Sequence, residues 1–265
     1  MSRLDQVMQG WCREAAEIAR SLHRRTGALE FKHGQEAVTE ADRRIEQLLR
    51  ERIGAAFPGD LIVGEEYGGP AESETAGRRV WQIDPIDGTL NYALGLPNYC
   101  TSLALVQDGE VLAACIHQPP TGDTFSALRG EGSFLNGERR YLRPCASLKE
   151  AVFSFQLKSE GSIMADPRRQ SRTCSAVMKV RRAGAVALEL AWVGGGLYDG
   201  LLGSFVDRMP VWDAAAGLLL SLEAGAVATD FQGRPYRLGG AELLVGSGPL
   251  VQEMVALLER SDDAV

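Results

Sequence analysis

The sequence predicts an α/β protein in two parts, an α+β half over residues 1–147 and an α/β half over residues 148–265. Three observations carry this reading. Two amphipathic helical stripes open the chain, and from Leu61 short β-prone runs follow one another through turn residues. Beyond about Ser147, strand-like and helix-like segments alternate. Helices followed by an antiparallel meander make an α+β unit, whereas alternating elements make α/β layers.

Leu4, Val7, Met8, Trp11, Ala15, Ile18 and Leu22 recur at three- and four-residue steps and mark the first helix. A second begins near Thr39, where Thr39 and Asp42 form a TxxD capping pattern with Asp in place of the usual Glu. Ile45, Leu48, Leu49 and Ile53 give its apolar stripe, and Phe57-Pro58-Gly59-Asp60 stops it. LIVGEE, RVWQID, TSLALVQDGEVLAACIHQ and DTFSALRGEGSFLNGE read as strands and hairpins, turned by Asp108-Gly109 and Asn136-Gly137. In the second half AVFSFQL is a strand, Met164–Val177 a helix, and VRRAG a further extended segment. AVALELAWVGGG and WDAAAGLLLSLEAGA are helices, and Pro249 opens a last helix through Leu258. The absence of internal repeats, low-complexity tracts and flexible linkers predicts that the two halves pack directly together.

With 45% apolar residues, the 265-residue chain can build a sizeable core. Its net charge of −7 argues against the clustered Lys and Arg grip of a nucleic-acid binder, so no direct nucleic-acid binding is expected. Cys12, Cys100, Cys115, Cys145 and Cys174 are dispersed and odd in number, which suits reduced, mostly buried thiols rather than disulfides or zinc. The opening segment mixes charges with apolar residues, and no run of about 18 apolar residues occurs anywhere. A soluble, cytoplasmic protein is the expectation.

The densest acidic constellation is VGEEY at 63–67 followed by WQIDPIDGTLN at 81–91. Asp84 and Asp87 bracket Pro85, whose fixed φ and missing N–H are expected to break the strand into a turn. Such a turn would aim both carboxylates and the free Ile86 carbonyl at one spot, within reach of Glu65 and Glu66 at the end of another strand. Gly88-Thr89 would then start a helix whose unpaired N–H groups suit phosphate oxygens. Carboxylates crowded together repel, and hard divalent cations with oxygen ligands relieve the repulsion; Mg2+ suits carboxylates plus a substrate phosphate. Paired ions can activate water and stabilise a leaving oxygen, so the chemistry points to metal-assisted phosphoryl hydrolysis. Asp213, far downstream, opens a helix where an isolated Asp would ordinarily be an N-cap, yet Ala214–Gly217 beside it allow close approach to another surface.

These residues resemble the inositol monophosphatase family of lithium-sensitive, magnesium-dependent phosphatases. The anchors are GEE at 64–66, WQIDPIDGTLNY at 81–92, GEGSFLNGE at 130–138 and WDAAAGLLLSLEAGA at 212–226. The resemblance covers essentially the whole chain and implies a layered αβαβα sandwich, usually a homodimer. It implies that Glu65, Asp84 and the Ile86 carbonyl hold one Mg2+, that Asp84, Asp87 and Asp213 hold a second, and that Glu65 touches a weaker third. Asp42 and the Thr89 hydroxyl would orient and deprotonate the attacking water, with Glu65 beside them in the catalytic set. Gly88 and Thr89 would bind phosphate through their N–H groups, with Asp87 and Asp213 also facing the substrate, and Asp207, from the segment that departs from the family, is a further substrate-binding candidate.

One segment departs from the family. Inositol-specific members carry a Glu seven residues before the last metal Asp; here that count from Asp213 reaches Val206, and counting forwards from Asp199 reaches Gly203. Neither offers a side-chain acceptor to a polyol, so specificity is expected to be broad or to rest on Ser204, Phe205, Asp207 or Arg208. The function expected is a phosphomonoesterase acting on a small soluble ester. Histidinol phosphate, fructose 1,6-bisphosphate and a 3′-phosphoadenosine nucleotide are the alternatives to inositol phosphate. A regulatory binding role in the transcription machinery is the alternative of another class.

Overall fold

The computed structural model describes residues 3–23, 30–32, 36–157 and 166–259. In chain order, α1 (Arg3–Leu22) is followed by an antiparallel pair, β1 (Glu30–Lys32) and β2 (Glu36–Val38), and then α2 (Glu40–Ala56). Next come β3 (Leu61–Gly64), β4 (Arg79–Asp87), α3 (Thr89–Leu94), β5 (Cys100–Gln107) and β6 (Glu110–Gln118). β7 (Asp123–Leu128), β8 (Gly132–Leu135) and β9 (Glu138–Arg140) complete one seven-stranded sheet whose strands lie in sequence order. Only β3 and β4 run parallel; every later neighbour pair is antiparallel. The Asp108-Gly109 and Asn136-Gly137 turns have positive φ at both positions, 50° and 77°, then 54° and 82°. That is the backbone demanded by tight hairpins between right-twisted strands.

The second sheet collects β10 (Val152–Leu157), β11 (Lys179–Arg181), β12 (Gly200–Ser204), β13 (Val227–Thr229) and β14 (Glu242–Gly246), in the order β11-β10-β12-β14-β13. Between them run α4 (Pro167–Ala176), α5 (Val186–Gly194), α6 (Val211–Glu223) and the closing α7 (Gly248–Leu258). Four apolar clusters glue five layers. Trp11, Ile45, Leu49 and Trp81 join α1 and α2 to the large sheet, and Ile116, Phe125, Leu188 and Leu219 join its other face to α5 and α6. Leu190, Val193, Leu201 and Val245 join those helices to the small sheet, while Phe153, Leu244, Val251 and Met254 cover its outer face with α7. The order is αβαβα. α5 and α6, all but uniformly apolar, are sandwiched between two sheets, as helices apolar all round must be.

The small residues of α6 earn their place by close packing. A Cβ on Gly217 would lie 2.3 Å from Leu190 Cβ, and one on Gly194 would lie 2.7 Å from the Leu220 carbonyl carbon. Five strands, β1, β2, β12, β13 and β14, are absent from the sequence expectations. GLLGS and ELLVG are short apolar runs without alternation, buried in the sheet's interior, and such runs carry no period that separates strand from helix. The helix expected over Met164–Val177 begins at Pro167, capped by Asp166, whose side chain accepts from Arg168 N; Met164 and Ala165 lie outside the described residues. Among the described residues no helix is long and apolar enough to cross a membrane.

Candidate active site

Parallel pairing places the C-terminal ends of β3 and β4 side by side. Gly64 pairs with Ile83, and Glu65 N donates to Ile83 O at 3.1 Å, which brings Glu65 next to Asp84. Pro85 does not end β4, as the sequence reading expected. The strand continues to Asp87, and the register shifts between the Asp84–Ser102 and Asp87–Cys100 pairs. A bulge leaves one residue outside the ladder, which is where a proline without an N–H fits. Thr101 Oγ1 donates to Pro85 O at 2.9 Å and pins the bulge. The Ile86 carbonyl is not free either: it accepts from Thr89 Oγ1 at 2.9 Å and retains one lone pair.

Asp84 is 2% exposed, and its Oδ1 has no hydrogen-bond partner. Burial, then the negative charges of Glu65, Asp87, Asp213 and Asp42, push its carboxyl well above the usual range. These five acids therefore share one electrostatic neighbourhood, although they come from α2, the turn after β3, β4 and α6. Among the described residues no three His, Cys, Asp or Glu side chains already meet in a metal-holding arrangement. Asp87 is buried and points at the start of α5. Its Oδ2 accepts from Leu188 N at 2.9 Å and from the Cys100 thiol at 3.6 Å, and burial, offset by these donors, raises its pKa to about 6. Asp213 is the third residue of α6, whose N-cap is Pro210 without a side-chain bond, so Asp213 is not the helix cap.

Asp42 combines two roles. The capping box with Thr39 is complete: Asp42 Oδ2 accepts from Thr39 N at 2.9 Å and Thr39 Oγ1 at 2.5 Å. Its other oxygen accepts from Thr89 Oγ1 at 3.2 Å, across 47 residues of sequence. Burial raises its pKa to about 6 despite the Thr39 donors. Gly88 has a φ of 87°, and a Cβ there would lie 2.7 Å from Asn98 O and 3.0 Å from Ala185 Cβ. The chain can turn from β4 into α3 only because that position is glycine. Glu65, Gly88, Thr89 and Asp213 are half-buried, whereas Asp42, Asp84 and Asp87 are buried.

Two buried acids escaped the sequence reading. Glu46, one turn after Asp42, accepts from Glu66 N at 2.7 Å and Tyr67 N at 3.2 Å. Glu189 of α5 accepts from Ser154 Oγ at 2.8 Å and from Ala183 N, and burial lifts its pKa to about 7. Ala183 O in turn accepts from Asn91 Nδ2 at 2.8 Å, tying α3 to the loop before α5. A signal was present for Glu189, the sole acid of an otherwise apolar helix, but not for Glu46, which stands among the charged residues of α2. In the divergent segment, Gly203 lies mid-strand opposite Gln156 and Leu243. Ser204 and Phe205 are buried, at 1% and 7% exposure, and Ser204 Oγ has no hydrogen-bond partner. Val206, Asp207 and Arg208 are exposed, and the Arg208 guanidinium packs at Gly239.

The chain is similar over most of its length to known proteins. The family model described as "Inositol monophosphatase family" matches residues 1–262. A Thermotoga maritima protein named fructose-1,6-bisphosphatase/inositol-1-monophosphatase is 37% identical over 225 residues, 84% of this chain and 83% of its own. The Nus factor SuhB of Vibrio cholerae is 33% identical over 213 residues, 76% of this chain and 74% of its own. The solved structure of a Thermotoga maritima IMPase superposes with a TM-score of 0.86 at 33% identity, covering 97% of both chains.

Proposed function

Because this chain belongs to the inositol monophosphatase family, we propose that it is a Mg2+-dependent phosphomonoesterase acting on a small soluble phosphate ester. The observation that carries the reading is Asp84: a buried carboxylate oxygen without a donor, in the field of Glu65, Asp87 and Asp213. Such an arrangement is stable only if the acids stay protonated or a cation joins them. The donor set is all oxygen, which selects a hard cation. In this reading Glu65, Asp84, Asp87, Asp213 and the remaining lone pair of Ile86 O hold the metal. When bound, it supplies positive charge to the phosphoryl oxygens and lowers the pKa of water.

The chain's own residues do the rest. Gly88 N and Thr89 N orient the phosphoryl group, since the first turn of α3 leaves them without helical partners. Thr89 Oγ1, held between Ile86 O and Asp42, orients the attacking water, and Asp42 receives its proton. Asp207 is exposed and is the acid left in the divergent segment to contact a leaving group. With Gly203 locked in β12 and Val206 apolar, no side chain at either aligned position reads a polyol, so broad specificity is part of the proposal. A cytoplasmic homodimer, with the chain divided near 147/148, completes the reading; the five cysteines are unpaired.

The test is a panel of inositol 1-phosphate, glycerol 2-phosphate, histidinol phosphate, fructose 1,6-bisphosphate and 3′-phosphoadenosine 5′-phosphate, each with Mg2+ and with chelator. Metal-dependent release of phosphate from several esters is expected. Activity that survives chelation overturns the metal assignment. A hundredfold preference for the inositol ester, about 2.7 kcal/mol in the transition state, overturns the specificity argument. The similarity to a Nus factor favours a second reading, a transcription role. Absence of activity on every ester would move the conclusion to that class.

A further inference from the structure

The turn carrying Glu65 is a closed loop. Gly64 N donates to Gly68 O at 3.0 Å and Gly68 N returns a bond to Gly64 O at 2.9 Å, leaving Glu65, Glu66 and Tyr67 at its tip. One side of the loop is tied to β4 through Glu65 N and Ile83 O. The other side rests on α2. There Glu46, 0% exposed, receives the Glu66 and Tyr67 amides on its two different oxygens, and Arg50 Nε donates to the second of these at 2.8 Å. Arg50 also donates to Gly68 O, and its guanidinium lies 5.9 Å from the Tyr67 ring centroid. Gly64 completes the fit: a Cβ there would lie 2.1 Å from Glu46 Oε1, so only glycine lets the carboxylate enter the loop.

Burying a carboxylate is unfavourable unless donors surround it. A neutral amide could not replace this one, because Gln offers a single acceptor oxygen where three donors converge on two. Asp42 and Glu46 stand four residues apart, hence on one face of α2. The same helix face therefore holds the proposed base and the turn beside it. A ligand displaced by more than about 0.5 Å is a poor ligand, so whatever fixes this loop fixes the metal geometry.

We propose that Glu46 is a positioning residue for metal binding: its buried carboxylate, braced by Arg50, clamps the 64–68 loop so that Glu65 is presented beside Asp84. The inference rests on the proposed role of Glu65 as a metal ligand. Its test is Mg2+ binding to the full-length, chelator-stripped protein, measured by calorimetry without substrate, for wild type, Glu46→Gln, Glu65→Gln and the double variant. Glu46→Gln is expected to weaken Mg2+ binding about tenfold, equivalent to about 1.4 kcal/mol. In the Glu65→Gln background it is expected to add no further loss, because the two act through one contact. A purely structural Glu46 would lower thermal stability and leave Mg2+ affinity unchanged, and that result overturns the proposal. So does an equal loss of affinity in both backgrounds. If Glu65→Gln binds Mg2+ like wild type, the ligand assignment itself fails first, and the two failures are told apart. Should Glu46→Gln not melt cooperatively, Glu46→Asp repeats the measurement. It keeps the charge but draws it back by about one C–C bond of 1.5 Å, and the same tenfold loss and the same non-additivity are expected.

Discussion

Asp42→Asn separates catalysis from folding more sharply than any other single substitution here. Asp42 is fully buried, and burial carries its pKa from 3.8 to about 6, with the charge of Glu66 adding to the rise and the Thr39 donors opposing it. A folded-state pKa above the unfolded one means that the folded protein holds this proton longer. Ionisation then destabilises the fold as pH rises from about 4 to about 6, and nothing is lost below that window. At roughly 1.4 kcal/mol per pH unit of separation, the ionised carboxylate opposes folding by about 3 kcal/mol at pH 8 in the absence of metal. Asparagine removes this term. It keeps one acceptor oxygen for Thr39, and its amide can donate to Thr89 Oγ1, which still donates to Ile86 O. The loss of a charge-assisted bond to Thr39 returns about 1–2 kcal/mol.

The chelated Asp42→Asn protein should accordingly be more stable than wild type by about 1–2 kcal/mol at pH 8 and no more stable at pH 4. Turnover with Mg2+ should fall by roughly 10²–10⁴ because the proton acceptor is gone. Urea unfolding at both pH values, with kcat measured alongside, gives both quantities. A variant that is less stable at pH 8 but turns over like wild type would refute the reasoning and reduce Asp42 to a helix cap.

Two further outcomes follow from the same electrostatics and from the turn at Gly88. Asp84, Asp87 and Glu189 are raised like Asp42, the latter two to about 6 and about 7, so chelated wild type should melt higher at pH 5 than at pH 8. Mg2+ should raise the melting temperature most at pH 8, in a concentration-dependent way; a flat response to both pH and Mg2+ would count against the cluster. Gly88→Ala imposes about 1–2 kcal/mol of left-handed strain, adds the contact with Asn98 O, and should weaken inhibition by inorganic phosphate as well as stability. Unchanged phosphate inhibition would show that this turn does not hold the phosphoryl group.

What was legible in the sequence divides along physical lines. The TxxD cap at Thr39–Asp42, the two hairpin turns and the long amphipathic helices follow from local rules, and each stands where those rules put it. Pro85 was misread because its local effect is the same in a turn and in a bulge; the difference lies in β5, whose register accommodates the extra residue. β12 and β14 were missed because interior strands carry no alternation. Asp213 was legible as a helix-start acid, but that it leaves the cap to Pro210 and faces Asp84 depends on how α6 packs between the sheets. Glu46 and Glu189 are the instructive cases. Glu46 reads as one more charge on a charged helix and Glu189 as a flaw in an apolar one until the backbone N–H groups they serve are known, and those belong to loops 20 and 6 residues away in sequence.

The donors around these acids suggest why the site stays ready for a cation. Asp42 is held by hydroxyl and amide donors and Asp87 by amide and thiol donors. Neutral donors fix a carboxylate's position and leave its charge uncompensated. A Lys or Arg in the same place would satisfy the geometry equally well, but it would neutralise the charge and compete with the metal. Glu46, set behind the cluster, is treated the other way, paired directly with Arg50. A buried acid whose task is to hold a loop gains from a permanent counter-ion, because nothing else arrives to offset it. The contrast predicts opposite responses to charge removal: neutralising Asp42 should relieve the metal-free fold at pH 8, whereas neutralising Glu46 leaves Arg50 half-buried beside amides that have lost an acceptor. Thermal melts of Asp42→Asn and Glu46→Gln in chelator should therefore move in opposite directions, and parallel shifts would mean that the two acids play one and the same role.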